Sequence, residues 1–273
     1  MNELQKIEFD ILRECIRIMD AHDLRYYLVC GSALGAVKYG GFIPWDDDMD
    51  IGLFREDYER FCEIAPRELP EYYFLQNYQT DPAFPAIFSK VRDSRTTYIE
   101  KSASELEICH GVYIDVFPLD GYPESKSEAR RLERKKKLYT LSLASAFCIS
   151  ESYSAKAKLF FKAERALGLH KRTAKTVASY EKLIAKYPTD SSRLICNHGN
   201  WQGRLEYAPR EQYGNGAWAS FEGLPVRIPE RFDEYLTQKY GDWRADLPEE
   251  KKVGHHYYEI LDLSRPYTEY VKK

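Results

Sequence analysis

Apolar residues recur at intervals of three and four through the start of the chain, at Leu4, Ile7, Ile11, Cys15 and Ile18, with Asp and Glu between them. That spacing predicts an amphipathic helix lying on the body of a domain. The unbroken apolar run "YYLVC" at 26–30 reads as a short buried strand, stopped by Gly31 and Ser32. Helical spacing resumes in "SALGAV", with Ser32 placed to cap it, and Gly40-Gly41 ends it. Residues 49–54, "MDIGLF", alternate as a strand does, and 55–65 return to a helix. Strand-like pieces follow within 72–99, and "GVYIDVFPLDG" at 111–121 is a strand expected to end around Pro118 and Gly121. From 125 to about 187 the pattern is helical throughout. The last third is mixed, with "WASFEGLPVRIP" as a hairpin and "ERFDEYLTQKYGDW" as a helix. The expected architecture is α/β (α+β), a mixed-sheet core over 1–124, a helical insert over 125–190, and elements over 191–273 that complete the core.

Composition narrows the class. The chain has 273 residues, 44% hydrophobic and 14% aromatic with 22 tyrosines, which is globular rather than disordered. The six cysteines are scattered, without C-x-x-C pairs or zinc-finger spacing, so neither a disulfide framework nor structural zinc is expected. Charge enters every turn of the first helix, which does not read as a signal peptide, and no apolar run is long enough to span a bilayer. A cytoplasmic protein is expected. The net charge of −3 conceals an asymmetry: residues 121–190 hold 16 Lys/Arg against 7 Asp/Glu, or +9, leaving −12 elsewhere. The basic part, centred on "RRLERKKK", suits anionic lipid headgroups at the inner membrane face or an anionic acceptor. Nucleic acid is not expected as a partner, because the chain is acidic overall and carries no known binding module.

The most concentrated chemistry is "WDDDMDI" at 45–51, four carboxylates in five positions. Like charges so close raise one another's pKa, and such a group persists if it is well solvated or if a cation neutralises it. In an extended backbone Asp46, Asp48 and Asp50 share one face while Asp47 and Met49 take the other. Asp48 and Asp50 then form a D-x-D pair suited to Mg²⁺ or Mn²⁺ with a phosphate completing the shell. An EF-hand reading fails, since the positions that need Gly and Glu hold Ile51 and Asp57. Upstream, Gly31 and Ser32 between a strand and a helix offer backbone amides and a positive helix end to a phosphate. Asp115, in a later strand, is the natural third carboxylate, with Asp120 in reserve.

Strand, Gly-Ser, helix, Asp-x-Asp, strand is the pattern of the nucleotidyltransferase superfamily. More specifically, "GSALGAVKYGGFIPWDDDMDIGL" with "YIDVFPLDG" closely resembles the LicD family of phosphocholine transferases, related to fukutin and fukutin-related protein. The resemblance implies metal-dependent transfer of a phospho-alcohol, foremost phosphocholine from CDP-choline, to a sugar hydroxyl of a cell-surface glycan or teichoic acid precursor, with release of CMP. It assigns Asp48 and Asp50 to the metal-binding pair, Asp46 to the leading acid and Asp115 to the later acid. Lys38-Tyr39-Gly40 departs from the more basic stretch the family carries there. Lys38, Lys90 and Arg92 are candidates to neutralise phosphate oxygens, and His255, beside His256, to enter the site. Choline would call for aromatic faces, for which Trp45, Tyr113, Trp201, Trp218 and Trp243 are available. The alternatives are a nucleotidyltransferase that moves NMP from an NTP to a small molecule, and a non-catalytic nucleotide-binding protein.

Overall fold

The structure, a computed structural model, describes residues 1–147, 154–168, 172–200, 203–254 and 257–271. In chain order the elements are α1 (Glu3–Ala21), β1 (Tyr26–Leu28), α2 (Cys30–Lys38), β2 (Asp50–Phe54), α3 (Arg55–Glu68), β3 (Tyr73–Gln76), β4 (Ser89–Asp93), β5 (Thr97–Glu100) and β6 (Val112–Tyr122). The helices α4 (Lys126–Ala144), α5 (Ala155–Ala166) and α6 (Thr173–Ile184) follow. The chain continues with β7 (Leu194–Asn197), β8 (Tyr207–Pro209), α7 (Arg210–Tyr213), β9 (Ala217–Phe221), β10 (Leu224–Ile228), α8 (Phe232–Tyr240) and β11 (Tyr258–Asp262).

The main sheet runs β1-β2-β6-β4-β3, with β7 on the far half of β6 and β8 beyond it. Only β2 and β6 are parallel within it. Strand β6 does not stop at Pro118. Its neighbour on one side changes there, from β4, which pairs as far as Val116, to β7, which begins at Leu119. The proline, lacking an N–H, occupies the gap between two partners.

Side-chain alternation divides the sheet into two faces. Leu28, Ile51, Leu53, Ile114 and Val116 join Ile11, Leu12, Cys15 and Met19 of α1 and Tyr58 and Phe61 of α3 in one core. Tyr27, Val29, Phe117 and Leu119 pack on the other face against Ala33 of α2 and Tyr235 and Leu236 of α8. The expected hairpin is present as β9 and β10. Its two turn residues, Glu222 and Gly223, both have positive φ (50° and 83°), the primed geometry that matches strand twist. The insert has a small core of its own, in which Leu132, Val177, Tyr180 and Ile184 meet Ile87 of the sheet domain. Lys126, Arg130, Arg131, Arg134, Lys135 and Lys137 of α4 all face outward. The cysteines among the described residues are free, and none of the described helices is long and apolar enough to cross a membrane.

Candidate active site

Asp50 and Asp115 are the first pair the fold makes. They are direct register partners on parallel β2 and β6, and both alternate with residues of the α1 face, so they project together from the opposite one. Asp50 is tied from both sides. Its N–H donates to Ser32 Oγ (2.8 Å), and its carbonyl accepts from Val29 N (3.1 Å). Burial, then the charges of Asp48, Asp115 and Asp46, hold the Asp50 carboxyl well above the usual range, opposed by the ammonium of Lys239.

Residues 46–49 are not strand. Asp46 N donates to Ile43 O (2.9 Å) in a turn, and β2 begins only at Asp50. Strict alternation therefore does not apply, and Asp47 is not turned away: carboxylate oxygens of Asp46, Asp47 and Asp48 all lie within 4.8 Å of one another. Gly31 is required beneath them, since a Cβ there would come 2.8 Å from Asp46 Oδ2. Ser32 is not a cap. Helix α2 starts two residues earlier, with Val29 at the N-cap position, so Ser32 lies in the first turn and anchors Asp50 instead. Cys30 N is engaged by the Tyr235 hydroxyl (3.1 Å), and the amides of Gly31 and Ser32 lie in that first turn, which has no intrahelical acceptors.

Lys90 joins the acids. Its Nζ is 3.1 Å from Asp115 Oδ1, 3.6 Å from Glu100 Oε1 and 3.2 Å from the centre of the Tyr113 ring. Arg92, two residues on, stands behind it. Its guanidinium is fully buried and donates to Gln76 Oε1, Gly111 O and Glu100 Oε2, so it holds the Glu100 buttress and offers nothing to a phosphate. Lys38 is also misplaced for that role. It ends α2 at the opposite terminus from Gly31, and its ammonium donates to the carbonyls of Trp243, Arg244 and Ala245, with Asp246 at 3.3 Å. Asp120 is committed elsewhere, in a buried two-point pair with Arg55 (2.7 and 2.8 Å). Among the aromatics, Trp45 is half-buried beside Asp46, edge-on to Tyr39 (6.0 Å), with Lys252 Nζ 5.4 Å from its centre. Trp243 is a core residue bonded to Asp233, Tyr113 is covered by Lys90, and Trp218 lies on the exposed face of β9. His255, His256 and Trp201 lie outside the described residues.

Three participants were not anticipated. Glu100 braces Lys90 and Arg92, and also accepts from Tyr113 Oη (3.1 Å). Lys239, buried against Glu206 (2.7 Å), places a positive charge near Asp50. Glu8 of α1 is buried, and after burial itself the carboxylates of Asp48, Asp47, Asp46 and Asp115 do most to raise its pKa. Glu8 had a signal: with Ile11, Leu12 and Cys15 it falls on the apolar stripe of α1, where a carboxylate is out of place.

Residues 23–142 match the model of the LicD/FKTN/FKRP nucleotidyltransferase domain, a span that contains Gly31, the acid turn, Lys90 and Asp115. Over that span the chain is similar to a LicD-family domain. It is 27% identical over 268 residues to the lipopolysaccharide cholinephosphotransferase LicD of Haemophilus influenzae, covering 96% of this chain and 98% of that one. A shorter stretch of 87 residues is 29% identical to the human ribitol 5-phosphate transferase FKRP, spanning 32% of this chain and 18% of that one. These two relatives are named as a cholinephosphotransferase and as a ribitol 5-phosphate transferase.

The acid group fits a hard divalent cation. The donors are all carboxylate oxygens, the choice of Mg²⁺ and Mn²⁺ rather than of zinc, and no cysteine or histidine is grouped with them among the described residues.

Proposed function

We propose that the chain transfers a phospho-alcohol, phosphocholine foremost, from a CDP-activated donor to a sugar hydroxyl of a lipid-linked cell-surface glycan precursor, releasing CMP. The observation that carries this reading is the convergence of Asp50 and Asp115 with the Asp46–Asp48 turn beside the Gly31-Ser32 helix start, inside the span similar to a LicD-family domain. Asp46, Asp48, Asp50 and Asp115 would hold Mg²⁺ or Mn²⁺, which supplies charge neutralisation to the donor diphosphate and the departing CMP.

The chain's own groups do the rest. Amides of Gly31 and Ser32 bind a donor phosphate at the positive end of α2. The acceptor oxygen forms a bond to the phosphorus that carries the alcohol, the bond from that phosphorus to the CMP oxygen breaks, and the hydroxyl proton passes to Asp115. Lys90, 3.1 Å from Asp115 and packed on Tyr113, fixes the direction of that carboxylate. The Tyr39–Trp45 pair next to the acids favours a cationic alcohol, since Trp45 already accepts an ammonium, that of Lys252, over its ring. Peripheral membrane contact through the basic insert belongs to the same reading, because it would bring the site to a lipid-linked acceptor.

The test is phosphorus NMR of the protein with Mg²⁺, CDP-choline and a candidate sugar acceptor, beside thermal shifts with CDP-ethanolamine, CDP-ribitol and CDP-glycerol. Appearance of CMP with an alkylphospho-sugar supports the transferase. Pyrophosphate released from an NTP instead would establish the nucleotidyltransferase alternative.

A further inference from the structure

The turn that leaves β7 lies on the face of the sheet that carries the acids. Asn197 pairs with Leu119 of β6, so its side chain falls on the same side as Leu119, Phe117 and Asp115. Asn197 Oδ1 accepts from Gly199 N (3.0 Å), an Asx turn that bends the chain out of the strand. Gly199 then rests on two rings, since a Cβ there would come 2.9 Å from a carbon of Phe117 and of Phe88. Those rings adjoin the site. Their centres are 4.7 Å apart, Phe117 is two residues beyond Asp115, and Phe88 is 5.8 Å from Lys90 Nζ. From that seat Asn200 reaches the start of α2, where its Nδ2 donates to Cys30 Sγ (3.2 Å), directly before Gly31 and Ser32.

Two features of this turn call for a ligand oxygen. Asn197 is 3% exposed, and its Nδ2 has no hydrogen-bond partner among the described residues. Because the Gly199 N–H identifies the other atom as the oxygen, the unmet group is a donor and needs an acceptor. Asn200, half-buried, gives an N–H to a thiol, which is a weak acceptor. That thiol belongs to a residue in the left-handed region, Cys30 (φ 52°), a conformation of the kind found at ligand clamps. A phosphate oxygen beside the Gly31 and Ser32 amides would be a far stronger acceptor for the same N–H.

We propose that Asn200 binds the donor phosphate together with the Gly31 and Ser32 amides, exchanging the Cys30 thiol for a phosphate oxygen, and that the Asn197–Gly199 turn positions it. This rests on the phospho-alcohol donor reading given above. It adds to the site a contact from outside residues 23–142, carried in from 170 residues beyond Cys30.

The test uses the full chain with Mg²⁺, and CDP-choline and CDP-ribitol as probes. Titration calorimetry gives the affinity of wild type, Asn200→Ala and Asn200→Asp, and melting without ligand reports the fold. A hydrogen bond to a charged group is worth about 10–100-fold in affinity, and N200A is expected to lose that much at an unchanged ligand-free Tm. N200D has the same shape but a charge that repels phosphate, and is expected to bind more weakly still. A side chain that only braced Cys30 would give the reverse order, because a carboxylate still accepts from the thiol and alanine does not. The reverse order, or wild-type affinity in either variant, would overturn the inference. If N200A does not fold, N200D decides alone, by loss of affinity or its retention. If the wild type binds neither probe, the donor reading itself falls, and this inference with it.

Discussion

Asp50 and Asp115 stand opposite one another on the two parallel strands at the middle of the sheet, both buried and both acidic. Strand pairing fixes their backbones, so they cannot separate to relieve the repulsion. Replacing Asp50 with Asn should therefore have two opposite effects. Transferase activity should fall by about 10²–10³-fold, the usual loss when one charge-stabilising group is removed. The apo protein should melt at a higher temperature, because the folded state no longer raises that carboxyl against its neighbours. Activity assays and calorimetry without added metal check the two halves, and a lower apo Tm would contradict the second.

Lys90 lies between Asp115 and Glu100 with almost no exposure. Lys90→Met keeps the bulk and removes the charge, leaving two acids facing each other around Tyr113. Breaking a buried pair by deleting one partner costs about 3–5 kcal/mol. Urea unfolding should show that loss. A change under about 1 kcal/mol would mean that solvent already screens the pair.

Gly31 offers a cleaner separation of site from fold. The Cβ of Gly31→Ala would press on the end of the Asp46 carboxylate, a flexible group, and on no backbone atom within 3 Å. Urea unfolding of G31A should match the wild type to within about 1 kcal/mol, while Mn²⁺ affinity and activity both drop. Unchanged Mn²⁺ affinity would remove Asp46 from the ligand set.

Away from the site, Glu181 of α6 gives a pH signature. Burial, only partly offset by Arg55, pushes its carboxyl from 4.5 up to about 7. The folded state therefore holds a proton that the unfolded chain releases above about 4.5, so this group's contribution to stability declines as pH rises to about 7 and is level beyond it. The difference is at most about 3 kcal/mol. Unfolding of wild type and Glu181→Gln at pH 5 and pH 8 should converge at pH 5 and separate at pH 8, with the variant the more stable. Parallel curves would show that Glu181 is not the group responsible.

The insert should bind anionic membranes. Its exposed residues include the basic ones of α4 and the apolar Leu138, Leu159, Phe160 and Leu167. Cosedimentation with vesicles containing phosphatidylglycerol should exceed that with phosphatidylcholine alone and should fall steeply with salt. Glutamine at Arg130, Arg131, Arg134 and Lys135 should abolish the difference. Equal binding to both vesicle types would refute it.

Much of the site could be read along the chain because strand periodicity is local. Asp50 and Asp115 each sit one step out of phase with an apolar run, and Glu222-Gly223 marks its hairpin by turn chemistry alone. Where sequence and structure differ, the cause is shared. Asp47 lies in a turn before β2, where strand periodicity sets no direction. Arg92 and Lys38 looked available because their partners are remote: Gly111 is 19 residues from Arg92, and the carbonyls that take up Lys38 are 205 to 207 residues away. Whether a charge is satisfied depends on what folding brings to it, which no local pattern records.

The same long separations bear on how the protein is made. Lys38 of α2 meets Trp243, Cys30 meets Tyr235, and Tyr27 meets Gly214, each across at least 187 residues. Phe221, Val226 and Ile228 fill the core that α1 begins. A ribosome that has released every acid of the site has therefore not yet released the residues that close the domain around them. Until β9, β10 and α8 emerge, the nascent chain holds an open apolar face and a helix α2 without its latch, and closure of the domain waits on residues 217–240.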